Sequence, residues 1–150
     1  MYLSREDVVS EFHKAFGQAV DVPLDHETLT LRYKLLFEEF TELKEEFAAA
    51  LADMDHFGKV SNKTKERMLK EMADLQYVLS GMAVTFGLPL QVAFTRVHKS
   101  NMSKLGENGK PIYREDGKVL KGPNYAPADL EDLVTKDVPG YEYYGAPVGC

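Results

Sequence analysis

The strongest constraint on this chain is a pair of acidic clusters, each at helical spacing. The first is Glu38-Glu39-x-x-Glu42, and the second, Glu71-x-x-Asp74, follows after twenty-eight intervening residues. Side chains three or four residues apart lie on one face of an α-helix. Two antiparallel helices would bring the clusters together, and such a site is tolerated chiefly if cations lie between the acids or some acids stay protonated. The pattern favours a Mg²⁺ or Mn²⁺ site in a helical bundle.

Apolar residues recur with helical period over most of the first 104 residues. One helix is predicted after a cap at Ser4, ending near Gly17, and three more over about 28–54, 61–86 and 89–103. Further on, Asp116-Gly117 between two short apolar segments predicts a small hairpin, and a short helix is expected over about 128–134. We expect an all-α, four-helix-bundle-like domain over 1–135. The irregular tail, 136–150, carries Tyr141, Tyr143 and Tyr144 and is expected to reach a neighbouring subunit or to be disordered.

The second acidic cluster lies on an apolar line of its helix. Glu71 and Asp74 share that line with Leu75, Val78 and Met82. An isolated buried carboxylate is very costly, so an acid in this position must be neutralised, paired or metal-bound. The alternative is a charged bundle surface, since glutamate-rich helices are common.

Lysines four residues before two of the acids make that alternative concrete. Lys34 precedes Glu38 and Lys70 precedes Asp74 at this spacing, which allows partial ion pairing along each helix. If a metal binds, five carboxylates are hard oxygen donors that favour Mg²⁺, Mn²⁺ or Ca²⁺ over Zn²⁺. A di-iron bundle would require Glu-x-x-His pairs, which the sequence lacks.

Charge is segregated along the chain. Acids dominate residues 38–55 and bases dominate residues 95–122, an arrangement that suits a polyanionic, metal-bound ligand or simply two solvated surfaces. The net charge of −6 argues against a protein that coats nucleic acid. With no run of about 18 apolar residues, no leader-like start, and Cys150 as the one cysteine, we expect a cytoplasmic protein without a membrane partner.

The order of these motifs resembles a known superfamily. E-E-x-x-E followed by E-x-x-D about thirty residues later, over roughly 29–104, is similar to the MazG-like all-α nucleoside triphosphate pyrophosphohydrolases. That group includes dimeric dUTPases and phosphoribosyl-ATP pyrophosphohydrolase. The segments 97–105 and 121–125 are similar to the part that follows the metal helices in small MazG-like proteins. Some of these are phage-encoded, including a branch that removes dGTP.

The resemblance implies a reaction and a set of site residues. Members cleave a nucleoside triphosphate between the α and β phosphates, which gives the monophosphate and pyrophosphate. By motif position, Glu39, Glu42, Glu71 and Asp74 would hold two or more Mg²⁺ ions, for which Mn²⁺ can substitute. Glu38 would hold a further ion or orient and deprotonate the attacking water. Glu38 and Glu39 are therefore the predicted catalytic pair.

Substrate contacts are expected in the basic half of the chain. Lys99, Asn101, Lys104 and Lys121 are candidates for binding phosphate or sugar, the alternative for the lysines being helix-end capping. A base pocket is expected near Phe12, Phe16 and Leu35, whose simpler role is core packing. The favoured substrates are dGTP or dUTP, then dCTP, with ATP and ribosyl intermediates last.

Apolar surface on more than one side of the bundle predicts a homo-oligomer, a tetramer or a dimer. Three functions remain open from the sequence. The first is a Mg²⁺-dependent pyrophosphohydrolase in nucleotide-pool control. The second is a non-catalytic helical interaction module. The third is a regulator that binds nucleotide and metal without turnover.

Overall fold

The computed structural model describes residues 3–134 of the chain. The chain divides into two compact units, residues 1–87 and 88–150. The first unit holds three helices, which are α1 (Arg5–Ala15), α2 (His26–Phe57) and α3 (Asn62–Phe86). The second begins with α4 (Leu90–Met102). The tyrosines of the predicted tail lie outside the described residues.

Capping residues fix the start of α1 and both ends of α2. At the start of α1, Ser4 and Asp7 form a reciprocal capping box, with the Ser4 amide donating to Asp7 Oδ2 at 2.8 Å. Asp25 caps α2 by accepting from the Thr28 amide at 2.8 Å. Gly58 ends α2 in the left-handed conformation, at a φ of 68°, which a residue without a Cβ adopts at no cost. The helix α2 extends slightly beyond its predicted bounds, and α3 lies close to its predicted bounds.

The two long helices form an antiparallel hairpin in a register that the side chains define. Asp53 Oδ2 accepts from the Ser61 amide at 2.9 Å where the hairpin turns. About two turns along, Arg67 Nε contacts Glu46 Oε2 at 2.9 Å. One more turn brings Glu42 opposite Glu71, and the helices later bring Arg32 beside Gly81. An opposite-charge pair is thus followed, one turn on, by a like-charge pair.

Most of the large apolar side chains of α2 do not lie on the face that packs on α3. Arg32, Leu43 and Ala50 are buried, and Glu39, Glu42 and Glu46 are half-buried, so the acidic flank faces the neighbouring helix. Several large apolar side chains of α2 leave about half or more of their surface exposed: Tyr33, Phe40, Phe47, Leu51 and Met54 on the predicted apolar stripe, and Phe37 on another side. On α3, Leu69 and Met72 are likewise exposed. The single chain therefore carries a long uncovered apolar face.

The second unit is mostly irregular after α4. The predicted hairpin is present only as one antiparallel bridge, Tyr113–Val119, closed by a turn in which Gly117 has a φ of 83°. The short helix expected over about 128–134 is present as a single 3₁₀ turn, Glu131–Leu133. Its hydrogen bonds run from Leu133 to Leu130 and from Val134 to Glu131, which is the i→i+3 pattern of a 3₁₀ turn.

The all-α prediction is confirmed for residues 3–134, which hold four α-helices and no β-strand. In that range, no helix taken singly has both the length and the apolar composition to cross a membrane. The helices α3 and α4 have the required length and apolar composition only when they are taken together, as a span with a break in it.

Candidate metal centre

Three of the predicted carboxylates meet where α2 faces α3. One oxygen from each of Glu39, Glu42 and Glu71 lies within 4.8 Å of the others. The first two come from successive turns of α2, and the third comes from the opposite helix. All three side chains are half-buried, and Glu39 Oε2 is fully buried without a hydrogen-bond partner. A buried oxygen with nothing to bind is costly, and a cation would supply the missing partner.

The electrostatics of this trio reflect the crowding of like charges. Burial raises the pKa of Glu39, and the neighbouring charges of Glu42 and Asp74 raise it further. A hydrogen bond to Glu71 raises the pKa of Glu42, since one carboxyl must keep a proton to make that bond, and desolvation adds to the rise. Glu39 and Glu42 therefore keep a proton to higher pH than ordinary glutamates do. A divalent ion would displace those protons, because it neutralises the same charges.

The other two predicted ligands, Asp74 and Glu38, are not part of this trio. Asp74 lies one turn beyond Glu71 on α3, and the Lys70 ammonium contacts Asp74 Oδ2 at 2.7 Å and Glu71 Oε1 at 3.2 Å. Glu38 is exposed and lies outside the trio, although its charge contributes to the raised pKa of Glu39. The ion pair anticipated between Lys70 and Asp74 is present, and no pair forms between Lys34 and Glu38 in the described range.

The donor set fits a hard divalent cation. Every candidate ligand is a carboxylate, two helices supply them from opposite sides, and the buried oxygen of Glu39 points to an unmet need for positive charge. Mg²⁺ and Mn²⁺ prefer oxygen ligands of this kind. One turn further along α2, Glu46 is already paired with Arg67, so the site is limited to the turns around Glu39 and Glu42.

The pattern has a counterpart among known proteins. Residues 9–101 match the family model described as phosphoribosyl-ATP pyrophosphohydrolase. The chain belongs to that family. The match runs from α1 to the end of α4 and includes all five predicted carboxylates. No curated protein sequence gives a significant match to the chain.

Membership confirms the superfamily resemblance drawn from the motifs. The phosphoribosyl-ATP pyrophosphohydrolase family is part of the MazG-like nucleoside triphosphate pyrophosphohydrolase superfamily, and it implies a nucleotide pyrophosphohydrolase activity in general terms. Members are typically metal-dependent, in keeping with the glutamate trio. The family name does not decide this chain's own substrate.

The predicted substrate contacts lie in the second unit. Lys99 and Asn101 are on α4, and the Lys104 ammonium donates to Asn101 Oδ1 at 2.8 Å. Lys121 lies over the Tyr125 ring, with its Nζ 4.4 Å from the centroid. The backbone joins the two segments, since the Gly122 amide donates to the Lys104 carbonyl at 2.9 Å. Lys104 and Lys121 lie outside the range of the family match.

Two of the residues named for a base pocket, Phe12 and Phe16, form part of an aromatic cluster in the first unit. The ring of Phe12 lies 4.4 Å from that of Phe16 and 5.6 Å, edge-on, from that of Tyr77. Phe16 is largely exposed, and Leu35 is half-buried on α2. The base pocket remains a prediction.

Sequence reasoning missed a group of buried polar side chains around α1. Glu6, Ser10 and His13 share one face of α1 and are at most 5% exposed, as is Arg32 on α2. Ser80 donates to Glu6 Oε1 at 3.0 Å, yet Glu6 Oε2, Ser10 Oγ and Arg32 Nε have no partner among the described residues. A signal was present for Arg32, which precedes Glu39 by seven residues and so lies on the same line of the helix.

Proposed function

We propose that this protein is a Mg²⁺- or Mn²⁺-dependent hydrolase that cleaves a nucleoside triphosphate to its monophosphate and pyrophosphate. The observation that carries the proposal is the convergence of Glu39, Glu42 and Glu71 from two helices, with Asp74 beside them, in a chain of this family. A trio of half-buried acids, two of which (Glu39 and Glu42) have raised pKa values, has no evident structural benefit. It is what a site for divalent cations requires.

The proposed roles follow from the positions of the acids. Glu39, Glu42, Glu71 and Asp74 would hold the ions, and the bound ions would supply charge neutralisation for the polyphosphate and its leaving group. Glu38 is exposed at the edge of the trio, and it is proposed either to hold a further ion or to orient the attacking water. Both roles need an ionised carboxylate with access to solvent.

The finer substrate assignment is a separate proposal. We favour dGTP or dUTP, with a role in nucleotide-pool control in the cytoplasm, including host cytoplasm if the chain is phage-encoded. Lys99, Asn101, Lys104 and Lys121 are proposed to contact phosphate or sugar. None of these lysines forms an ion pair within residues 3–134, so their charges are available to an anionic ligand.

The test is pyrophosphate release from a panel of substrates. The panel contains the canonical and modified deoxynucleoside and ribonucleoside triphosphates together with phosphoribosyl-ATP, each with Mg²⁺ or Mn²⁺. We expect release that Asp74→Asn and Glu42→Gln abolish while helical circular dichroism is retained. Glu45→Gln is the matched control, since Glu45 is an exposed acid of α2 without a contact to the trio.

Two outcomes would replace the proposal. Binding of nucleotide and metal without any release would identify a regulator. No binding of either, together with no metal-linked change in stability, would identify an interaction module. The substrate preference fails by itself if the panel shows turnover of other nucleotides only.

A homo-oligomer is proposed from the uncovered apolar face of α2. Phe40, Phe47 and Leu51 leave half or more of their surface exposed on one stripe, and a second copy is the occupant that such a face fits. Leu51→Glu is expected to lower the mass measured by light scattering. Ala52→Glu, at the next position on a different side of α2, should leave it unchanged. Equal masses for both variants and the native chain would contradict this use of the stripe.

A further inference from the structure

One lysine already occupies the acidic site as a cation. Lys70 Nζ contacts Asp74 Oδ2 at 2.7 Å and both oxygens of Glu71, at 3.2 and 3.3 Å. Its charge also reaches across to α2, where it acts against the rise in the pKa of Glu39 and Glu42 that burial and neighbouring acids cause. Lys70 is therefore a positive charge already in contact with the two acids that α3 contributes to the site.

The contact differs from an ordinary ion pair along a helix. On the same helix, Lys63 pairs with Glu66 at 3.2 Å, and both side chains are about 70% exposed. Glu71 is only 13% exposed and belongs to the carboxylate trio, whereas Lys70 is 61% exposed. The acid is fixed within the site, and the lysine reaches it from solvent on a flexible stem.

A metal bound to Asp74 and Glu71 would compete with this contact. The ion would bind the same carboxylates, and its charge would repel the ammonium at short range. Lys70 would then move away, which its exposure and four-carbon stem allow. The polyphosphate carried by the metal would offer the displaced ammonium several negative charges next to the site. This sequence of contacts rests on the proposed function. It gives Lys70 two partners in turn, first the carboxylates of Asp74 and Glu71 and then the polyphosphate.

We propose that Lys70 is an exchangeable counter-ion of the metal site, which holds Asp74 and Glu71 until metal arrives and then contacts the phosphates of the metal-bound nucleotide. Its charge opposes the binding of metal alone and favours the binding of metal with nucleotide. The site would then bind metal mainly when metal and nucleotide bind together.

The proposal predicts effects of opposite sign from one substitution. Lys70→Met removes the charge and keeps a long side chain that favours helix. It should tighten binding of Mn²⁺ alone, by roughly tenfold from Coulomb's law for charges about 5 Å apart in a water-like dielectric, and less in physiological salt. It should weaken binding of a non-hydrolysable triphosphate analogue in the presence of saturating Mn²⁺. A lysine that only stabilises the helix would affect neither.

The experiment measures Mn²⁺ binding by electron paramagnetic resonance and analogue binding by calorimetry, on the full chain. Lys63→Met is the matched control, because it removes the same charge and an ion pair from the same helix about 10 Å away, beyond the screening length of about 8 Å. Lys70→Arg, which keeps the charge, should remain close to the native chain in both measurements.

The outcomes separate this inference from the proposed function. Tighter metal and weaker analogue binding in Lys70→Met alone would support it. Unchanged binding in both measurements, or tighter binding in both, would overturn it while the metal site stands. A native chain that binds no Mn²⁺ and releases no pyrophosphate would overturn the proposed function itself.

Discussion

Replacing Glu39 by glutamine separates its two proposed roles, as a repelled carboxylate and as a metal ligand. Without metal, the substitution removes a half-buried charge whose pKa is raised by burial and by neighbouring acids. The melting temperature of the metal-free protein should therefore stay the same or rise by up to about 3 °C, which corresponds to roughly 1 kcal/mol or less. The helical content should not change.

The metal-linked response should be lost. An ion present at a hundred times its Kd stabilises the native state by about 2.7 kcal/mol. For a chain of 150 residues, an unfolding entropy of about 2.1 cal/mol/K per residue converts this to a rise of about 8 °C in melting temperature. We expect the native chain to show such a rise in Mg²⁺ and Glu39→Gln to show little of it.

The assay is thermal denaturation by circular dichroism, with and without Mg²⁺, at fixed ionic strength. Glu45→Gln serves as the control, since Glu45 is an exposed acid on another side of α2, and it should behave as the native chain does. A full Mg²⁺ response in Glu39→Gln would refute the assignment of Glu39 as a ligand. A metal-free melting temperature several degrees lower would show instead that the carboxylate stabilises the fold.

Three further predictions follow from other parts of the molecule. The pKa values of Glu39 and Glu42 are raised, so the stability of the metal-free protein should fall as pH increases from 4.5 through those raised values. The Mg²⁺-linked rise in melting temperature should grow over the same pH range. Equal rises in melting temperature at pH 5 and pH 8 would contradict this. Gly81→Ala should lower the melting temperature by several degrees despite better helix propensity, because the new Cβ would lie 3.3 Å from the buried, hydrogen-bonded ring of His13; a rise would show that the ring can move. Gly122→Ala should reduce protection of the second unit against proteolysis, because its Cβ would clash with the Leu105 carbonyl oxygen, and unchanged cleavage would refute the close approach.

The helices could be predicted from sequence because their signals are local. Ser4 with Asp7, and Gly58 at the end of the long helix, act on backbone groups within a few residues. The face that each helix buries is a different matter. The large apolar residues of α2 predicted a core stripe, yet Phe47 and Leu51 are exposed, because the contact with α3 is made by the flank that carries Glu39.

Spacing predicted which acids share a helix face, and it did not predict which acids of the two helices meet. Spacing placed Glu39 with Glu42 on one helix, but the register of the hairpin decides that Glu42 faces Glu71 while Glu46 faces Arg67. That register depends on where the turn lies, which spacing alone does not fix. Burial of Arg32 was missed for the same reason, since it depends on what the opposite helix presents.

The most direct test of the account is anomalous diffraction from crystals grown with Mn²⁺ and a non-hydrolysable nucleoside triphosphate. We expect manganese peaks bound by oxygens of Glu39, Glu42, Glu71 and Asp74, with the phosphates on the same ions. Ordered nucleotide with no manganese at these carboxylates, and the Lys70 ammonium still on Asp74, would contradict it.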